Sequence, residues 1–232
     1  MMANRSGRHF LQIPGPTNVP ARVLEAIAQA TIDHRGPRFQ HLTAEVLERL
    51  AAIFRTQGKI VIFPSSGTGA WEAALVNTLS PGDQLLMYET GHFATLWHTL
   101  AESLGLAPKL VSGDWRSGVD AERLQFLLEQ DTDHDIKAVC VVHNETSTGV
   151  TSDIPSVRAC IDAAAHPALL MVDTISSLGS MDYRHDEWGI DVTIAGSQKG
   201  LMLPPGLGFN AISDKYSLIT QKLSTSFPKR FR

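Results

Sequence analysis

Seven short apolar runs recur along this chain: Lys59–Phe63, Gln84–Tyr88, Pro108–Ser112, Lys137–Val142, Ala168–Val172, Val192–Ala195 and Leu207–Ile212. Runs of this length, bounded by turn residues, read as buried strands, and the stretches between them have the three- and four-residue spacing of amphipathic helices. Phe93, Leu96, Trp97, Leu100 and Leu104 form one such stripe, and Ile154, Val157, Ile161 and Ala164 another. Strands that alternate with helices make a mostly parallel sheet covered on both faces, because each crossover has to return over the sheet. The expected fold class is therefore α/β, three-layer α/β/α with a mostly parallel seven-stranded sheet. Ahead of the first strand, Leu42, Val46, Leu50 and Ile53 mark a long helix, while Ile13-Pro14-Gly15-Pro16-Thr17-Asn18 reads as an extended segment leading into a short one.

No internal repeat, heptad array, low-complexity tract or linker divides the 232 residues, so a single domain is the economical expectation. A net charge of −4 gives no basic footprint for nucleic acid or an anionic membrane, which leaves a small molecule as the expected partner. No stretch approaches the ~18 apolar residues of a membrane span, and the start of the chain lacks a signal-peptide pattern, so a cytoplasmic location is expected. Cys140 lies in an apolar run and Cys160 in a helical pattern, which makes both core residues rather than a disulfide or metal pair. No His-Glu-x-x-His and no Cys/His cluster with ligand spacing occurs, so no metal is expected.

In an open α/β sheet, ligands bind beyond the carboxyl ends of the strands, and three features of this sequence fall there. Lys199, in Gly196-Ser197-Gln198-Lys199-Gly200, is a lone lysine among small residues at a strand exit, where an amine can be held for covalent chemistry. Asp173 is an isolated acid at the end of another run, placed to keep a pyridine nitrogen protonated; a turn or helix N-cap aspartate is the plainer alternative. Ser65-Ser66-Gly67-Thr68-Gly69 joins a strand to a helix and offers hydroxyls, close backbone approach and a helix N-terminus to a phosphate. It equally serves as a tight strand-to-helix turn. Lysine, acid and phosphate cradle together are the parts a pyridoxal phosphate site needs. Phe93 can lie over a flat cofactor or simply belong to its helix's core stripe. The stretch from His143 to Gly149 is dense in hydrogen-bonding groups, and its hydroxyls and amide can hold a phenolate oxygen, whereas Asp182 to Trp188 is charged and reads as a solvated loop or interface.

With these residues assembled, the chain resembles the large domain of the class V, fold type I aminotransferases, in the alanine/serine–glyoxylate group. The resemblance runs from Pro14-Gly15-Pro16-Thr17 to about Asp214. It is carried by Asp33-His34-Arg35-Gly36-Pro37, Ser66 to Glu72, Glu89 to Trp97, His143 to Gly149, Val172 to Gly179 and Gly196 to Gly200. It implies pyridoxal 5'-phosphate as cofactor, Lys199 as its covalent attachment point and Asp173 as the partner of the pyridinium nitrogen. Phe93 takes the place of the aromatic stacked on the ring. Ser66, Gly67, Thr68 and Gln198 match positions around the phosphate, Thr146 matches the hydroxyl near the phenolic oxygen, with Asn144 beside it, and Pro14 to Thr17 resembles the segment at the substrate end. The implied reaction moves an amino group from L-serine or L-alanine to glyoxylate in a homodimer.

The resemblance also divides the chain into an extended segment, 1–20, and a cofactor-binding large domain, 21–232. Family members continue past Arg232 into a small C-terminal domain. That region would supply the arginine that grips the substrate carboxylate and residues reaching the neighbouring subunit's phosphate. The expectation is a chain that binds cofactor and transaminates poorly. The competing readings are a non-catalytic cofactor-binding fragment and a cysteine desulfurase-like lyase. The second is disfavoured because neither cysteine sits in a loop suited to a persulfide nucleophile.

Overall fold

The computed structural model describes residues 11–217. Two helices, α1 (Ala21–Ile27) and α2 (Pro37–Phe54), precede the sheet. The chain then runs β1 (Lys59–Phe63), α3 (Gly67–Val76), β2 (Gln84–Tyr88), α4 (His92–Ser103), β3 (Ala107–Val111), α5 (Ala121–Gln130), β4 (Ile136–Val142), α6 (Ile154–Ala163), β5 (Leu169–Asp173), β6 (Val192–Gly196) and β7 (Gly208–Ile212). Each apolar run of the sequence is a strand, with bounds that agree to within one residue. The outer parts of the expected division into 1–20 and 21–232 fall on 1–10 and 218–232, outside the described residues.

The strands form one sheet in the order β1-β7-β6-β5-β4-β2-β3. From β6 to β3 every pairing is parallel, and β7 lies antiparallel between β1 and β6. Side chains of the central strands alternate between two covered faces. On one, Val139, Val141, Leu170 and Val172 pack with Leu124 and Leu128 of α5, Val157 and Ile161 of α6, and Phe54 at the end of α2. On the other, Cys140, Leu169, Met171 and Ile194 pack with Trp71 and Leu75 of α3 and Trp97 of α4. Both cysteines are buried and free, as the sequence suggested. The crossover helices on the first face start at capping aspartates, Asp120 accepting from the Arg123 amide at 3.0 Å and Asp153 from the Ser156 amide at 3.3 Å.

Three expectations are corrected. The stripe of α4 holds at Trp97, with Phe93, Leu100 and Leu104 packed against the core, but Leu96 is exposed and the fully covered positions beside Trp97 are Ala94 and Ala101. Small alanines let the helix approach the sheet, and Trp97 stacks on Trp71 with ring centroids 5.7 Å apart, so Phe93 is left at the margin of the core. In α2 only Leu50 and Phe54 are buried, while Leu42, Val46 and Ile53 are exposed, because only its final turns reach the core. Within Asp182 to Trp188, Tyr183 and His185 are buried and not solvated; the Thr193 hydroxyl lies 2.7 Å from Tyr183 Oη and 2.6 Å from His185 Nδ1. Burial pushes the His185 imidazole down to about 4.

Leu170 is fully buried at the middle of central strand β5. Leu170→Ala is expected to lower stability by about 2–5 kcal/mol, read as a reduced urea midpoint at unchanged slope.

Candidate active site

The parallel register fixes which strand ends meet. Val142 stands opposite Asp173, and Asp173 opposite Ile194, so the loops after β4, β5 and β6 open side by side. Asp173 shares a strand face with Leu169 and Met171 and thus faces α3. Its carboxylate accepts from Trp71 Nε1 at 3.0 Å and from the Ile175 amide at 2.7 Å. Asp173 is thus a turn aspartate, through its bond to the Ile175 amide, and also a buried acid that lines the cavity described below. Burial raises its pKa to about 7. The negative charge of Glu145 pushes the same way, and the two donors and the Lys199 ammonium oppose it.

Lys199 sits in the short connection from β6 to antiparallel β7. That loop is closed by Ser197, whose amide donates to Leu207 O at 3.0 Å and whose hydroxyl donates to Pro204 O at 2.7 Å. The extended segment near the start of the chain lies across it. The Thr17 amide donates to Gln198 O at 3.0 Å, and Lys199 Nζ donates to Pro14 O at 2.8 Å. Gly15 has φ +139°, and a Cβ there would lie 2.6 Å from Lys199 Cδ, so both conformation and space require glycine. Desolvation lowers the Lys199 pKa against the pull of the Asp173 charge, which favours the neutral, nucleophilic amine.

These loops bound a cavity of about 230 Å³. Every residue expected at the site lines it: Ser66, Gly67, Thr68, Phe93, Thr146, Asp173, Gln198 and Lys199, with Asn144. The segment Pro14 to Thr17 reaches the site through its bonds to Gln198 and Lys199 rather than through the cavity wall. Helix α3 starts at Gly67, and its N-cap Ser66 makes no side-chain capping bond, which leaves the helix N-terminus facing a space suited to an anion. A Cβ on Gly67 would lie 2.2 Å from Ile175 Cδ1. Gln198 Oε1 is buried without a hydrogen-bond partner, as befits an amide that completes its bonding on a ligand. A half-buried amine, a buried acid, an uncapped helix start and an unsatisfied amide fit pyridoxal phosphate.

Trp71, Val142, Ile175 and Ser176 also line the cavity, although the sequence did not single them out. Trp71 reads as core because its ring is core; its second role was hidden in the spacing, one helical turn after Gly67. The stretch His143 to Gly149 divides its labour. Asn144 and Thr146 face the cavity, but Asn144 Nδ2 already donates to Thr151 Oγ1 at 3.0 Å, and Thr148 Oγ1 donates to Thr90 O at 3.3 Å. His143 turns away, with Nδ1 2.9 Å from Ser177 Oγ and the ring beside Tyr183 and Trp188, and burial pushes its pKa down to about 4.

An α/β fold with a lone lysine, a buried acid and an uncapped helix start converging at its strand ends has the parts that a carbonyl cofactor requires. The family model for class-V aminotransferases matches residues 9–225, and the chain belongs to that family, whose members depend on pyridoxal phosphate. It is 50% identical over 212 residues to the serine–glyoxylate aminotransferase of Methylorubrum extorquens, covering 91% of this chain and 53% of the relative. It is 48% identical to the L-aspartate–glyoxylate aminotransferase of Paracoccus denitrificans, covering 88% and 52%. The solved alanine–glyoxylate aminotransferase of Nostoc sp. superposes with a TM-score of 0.86 at 29% identity, over 96% of this chain and 58% of that one. The chain spans about half the length of the curated relatives it matches.

The Asp173 shift has a definite sign in the cofactor-free protein. With its folded pKa raised to about 7 from 3.8, this carboxyl contributes stability that is complete below about pH 4 and lost as pH rises through 7. His143 and His185, lowered to about 4, act oppositely between their ordinary value and 4, but they cancel when wild type is compared with Asp173→Asn. The melting temperature of Asp173→Asn relative to wild type is expected to climb from pH 4 to 7 and then level off. A flat difference would contradict the burial argument.

Proposed function

We propose that this chain is the cofactor-binding part of a pyridoxal phosphate-dependent transaminase that moves the amino group of L-serine to glyoxylate, giving hydroxypyruvate and glycine, with L-alanine as the alternative donor. The observation that carries the reading is the convergence of Lys199, Asp173, Phe93 and the uncapped start of α3 on one cavity. Glyoxylate as acceptor is supported by relatives at 48–50% identity named as glyoxylate aminotransferases.

When bound, pyridoxal phosphate supplies an aldehyde for covalent capture of amines and a ring that accepts the electron pair left at the substrate's α-carbon. The protein's part is placement and proton transfer. Ser66, Gly67 and Thr68 at the start of α3, with Gln198, hold the phosphate. Phe93 would cover the ring, and the Thr146 hydroxyl would serve the phenolic oxygen, both lining the same cavity. The Asp173 carboxylate holds a proton at the ring nitrogen, stabilising charge that develops only as the α-proton leaves. The Lys199 amine would anchor the cofactor until the incoming amino group displaces it, and the freed amine would take the proton from the substrate's α-carbon and deliver it to the cofactor carbon that had borne Lys199. Serine departs as the keto acid, and glyoxylate takes up the nitrogen and leaves as glycine.

Transamination is favoured over cysteine-dependent sulfur chemistry because Cys140 and Cys160 are both packed in the core. The reading includes a cytosolic homodimer. Its support is the row of exposed apolar residues Leu42, Val46 and Ile53 on α2, with Leu24 and Ile27 on α1, a surface that burial in a second copy would cover. Among the described residues no helix is long and apolar enough to cross a membrane. Light scattering is expected to give twice the 25.3 kDa chain mass.

The decisive experiment is a visible absorption spectrum with added pyridoxal phosphate. The wild-type chain is expected to develop a cofactor band that borohydride fixes covalently and that L-serine bleaches. Lys199→Ala is expected to lack the fixed band and to lose about 10²–10⁴-fold or more of any amino transfer. A band in Lys199→Ala equal to wild type would overturn the assignment.

A further inference from the structure

Glu145 stands out among the acidic residues because its side chain is completely buried, in the loop between β4 and α6. Its two oxygens are used on the far side of a loop junction. Oε1 accepts from the Phe93 amide at 3.3 Å, the Ser147 amide at 3.1 Å and the Ser147 hydroxyl at 2.7 Å, and Oε2 accepts from the Ala94 amide at 3.1 Å. Ser147 Oγ in turn accepts from the His92 amide at 3.0 Å. His92, Phe93 and Ala94 are the first three residues of α4, whose N-cap Gly91 has no side chain to offer. The amides that a helix start leaves unpaired are thus satisfied by a carboxylate from another part of the chain, lying at the positive end of the helix dipole. Gly91 leaves the room for it, since a Cβ there would sit 2.5 Å from Glu145 Cγ and 2.6 Å from Ser147 Oγ.

We propose that Glu145 is a positioning residue: its carboxylate ties the first turn of α4 to the loop after β4 and so holds Phe93 and Thr146 as walls of one cavity. Phe93 donates its own amide to this carboxylate, and Thr146 lies between the two residues, Glu145 and Ser147, that form the tie. Both side chains face the cavity that also contains Asp173 and Lys199. Phe93 is at the margin of the core, so packing alone does not set its height. The requirement is for an acceptor at both oxygens. Glutamine, equal in size, would turn an N–H toward an amide N–H and break one side of the tie.

The part of this inference that concerns the cofactor rests on the proposed pyridoxal phosphate site; the docking of α4 does not. Two measurements keep them apart. In the cofactor-free protein, Glu145→Gln is expected to speed amide hydrogen exchange at Phe93 and Ala94 by about 10–100-fold, leaving the later turns of α4 and the strands at wild-type rates, and Ser147→Ala is expected to do so less strongly at His92 and Phe93. With pyridoxal phosphate, Glu145→Gln is expected still to form the borohydride-fixed band through Lys199. Its visible circular dichroism is expected to be reduced and its cofactor Kd raised about 10-fold, and adding Glu145→Gln to Phe93→Ala is expected to weaken binding by clearly less than that, leaving only the share that acts through Thr146. Exchange at Phe93 and Ala94 unchanged in Glu145→Gln overturns the docking. Wild-type Kd and dichroism in Glu145→Gln, or additive losses in the double variant, overturn action through Phe93. A wild-type chain that never takes up cofactor sinks the pyridoxal phosphate reading and the cofactor half of this inference, while exchange still decides the docking.

Discussion

The parallel pairing of β5 with β6, Asp173 opposite Ile194, is the contact on which the cavity depends. It sets the acid at the mouth of the sheet and sends the chain directly into the loop that carries Lys199. Because β7 returns antiparallel beside β6, that loop is short and closed by bonds at Ser197 rather than spread into a crossover. A long flexible lysine gains a defined position only when its stem is confined, and here the confinement comes from Gly15 on one side and the loop itself on the other. Position and reduced basicity come from the same burial.

Charge at the site is arranged by displacement. Asp173 and Glu145 are both buried acids, and each meets backbone amides rather than relying on a cation in contact. Their mutual repulsion helps to keep Asp173 protonated in the cofactor-free protein. A cationic ring nitrogen at Asp173 would reverse that balance, since an opposite charge in a water-poor site favours the ionised form. Under the proposed function the acid would be ionised beside a protonated pyridine and more readily protonated without one.

The strands were legible because a sheet covered on both faces needs short apolar runs, bounded here by turn residues. Lys199, Asp173 and Gly67 were legible because charge and glycine are conspicuous where such runs end. What the sequence concealed depends on phase and on distant partners. The burial of α4 follows its alanines, which apolar counting passes over, and the exposed stripe of α2 is patterned like core although only its final turns are covered. Trp71 looks like packing and also bonds Asp173; Tyr183 and His185 look solvated and share one buried threonine hydroxyl. Glu145 gave no sign in a polar stretch, since its role exists only once α4 is brought against the loop after β4.

The antiparallel strand has a kinetic meaning as well. Among the described residues β1, the first strand made, pairs in the sheet with β7 alone, the last one, so the edge of the sheet next to α2 stays unformed until Ile212 is available. Closing that long-range contact costs chain entropy before it returns any stability, which places it late in assembly. On a chain emerging from its N-terminus, β2 to β5 can associate earlier, and the lysine loop becomes ordered only when its two bounding strands join them. The Lys199 amine and the β1–α3 turn on the other wall of the cavity are therefore fixed in place together, among the last events of folding.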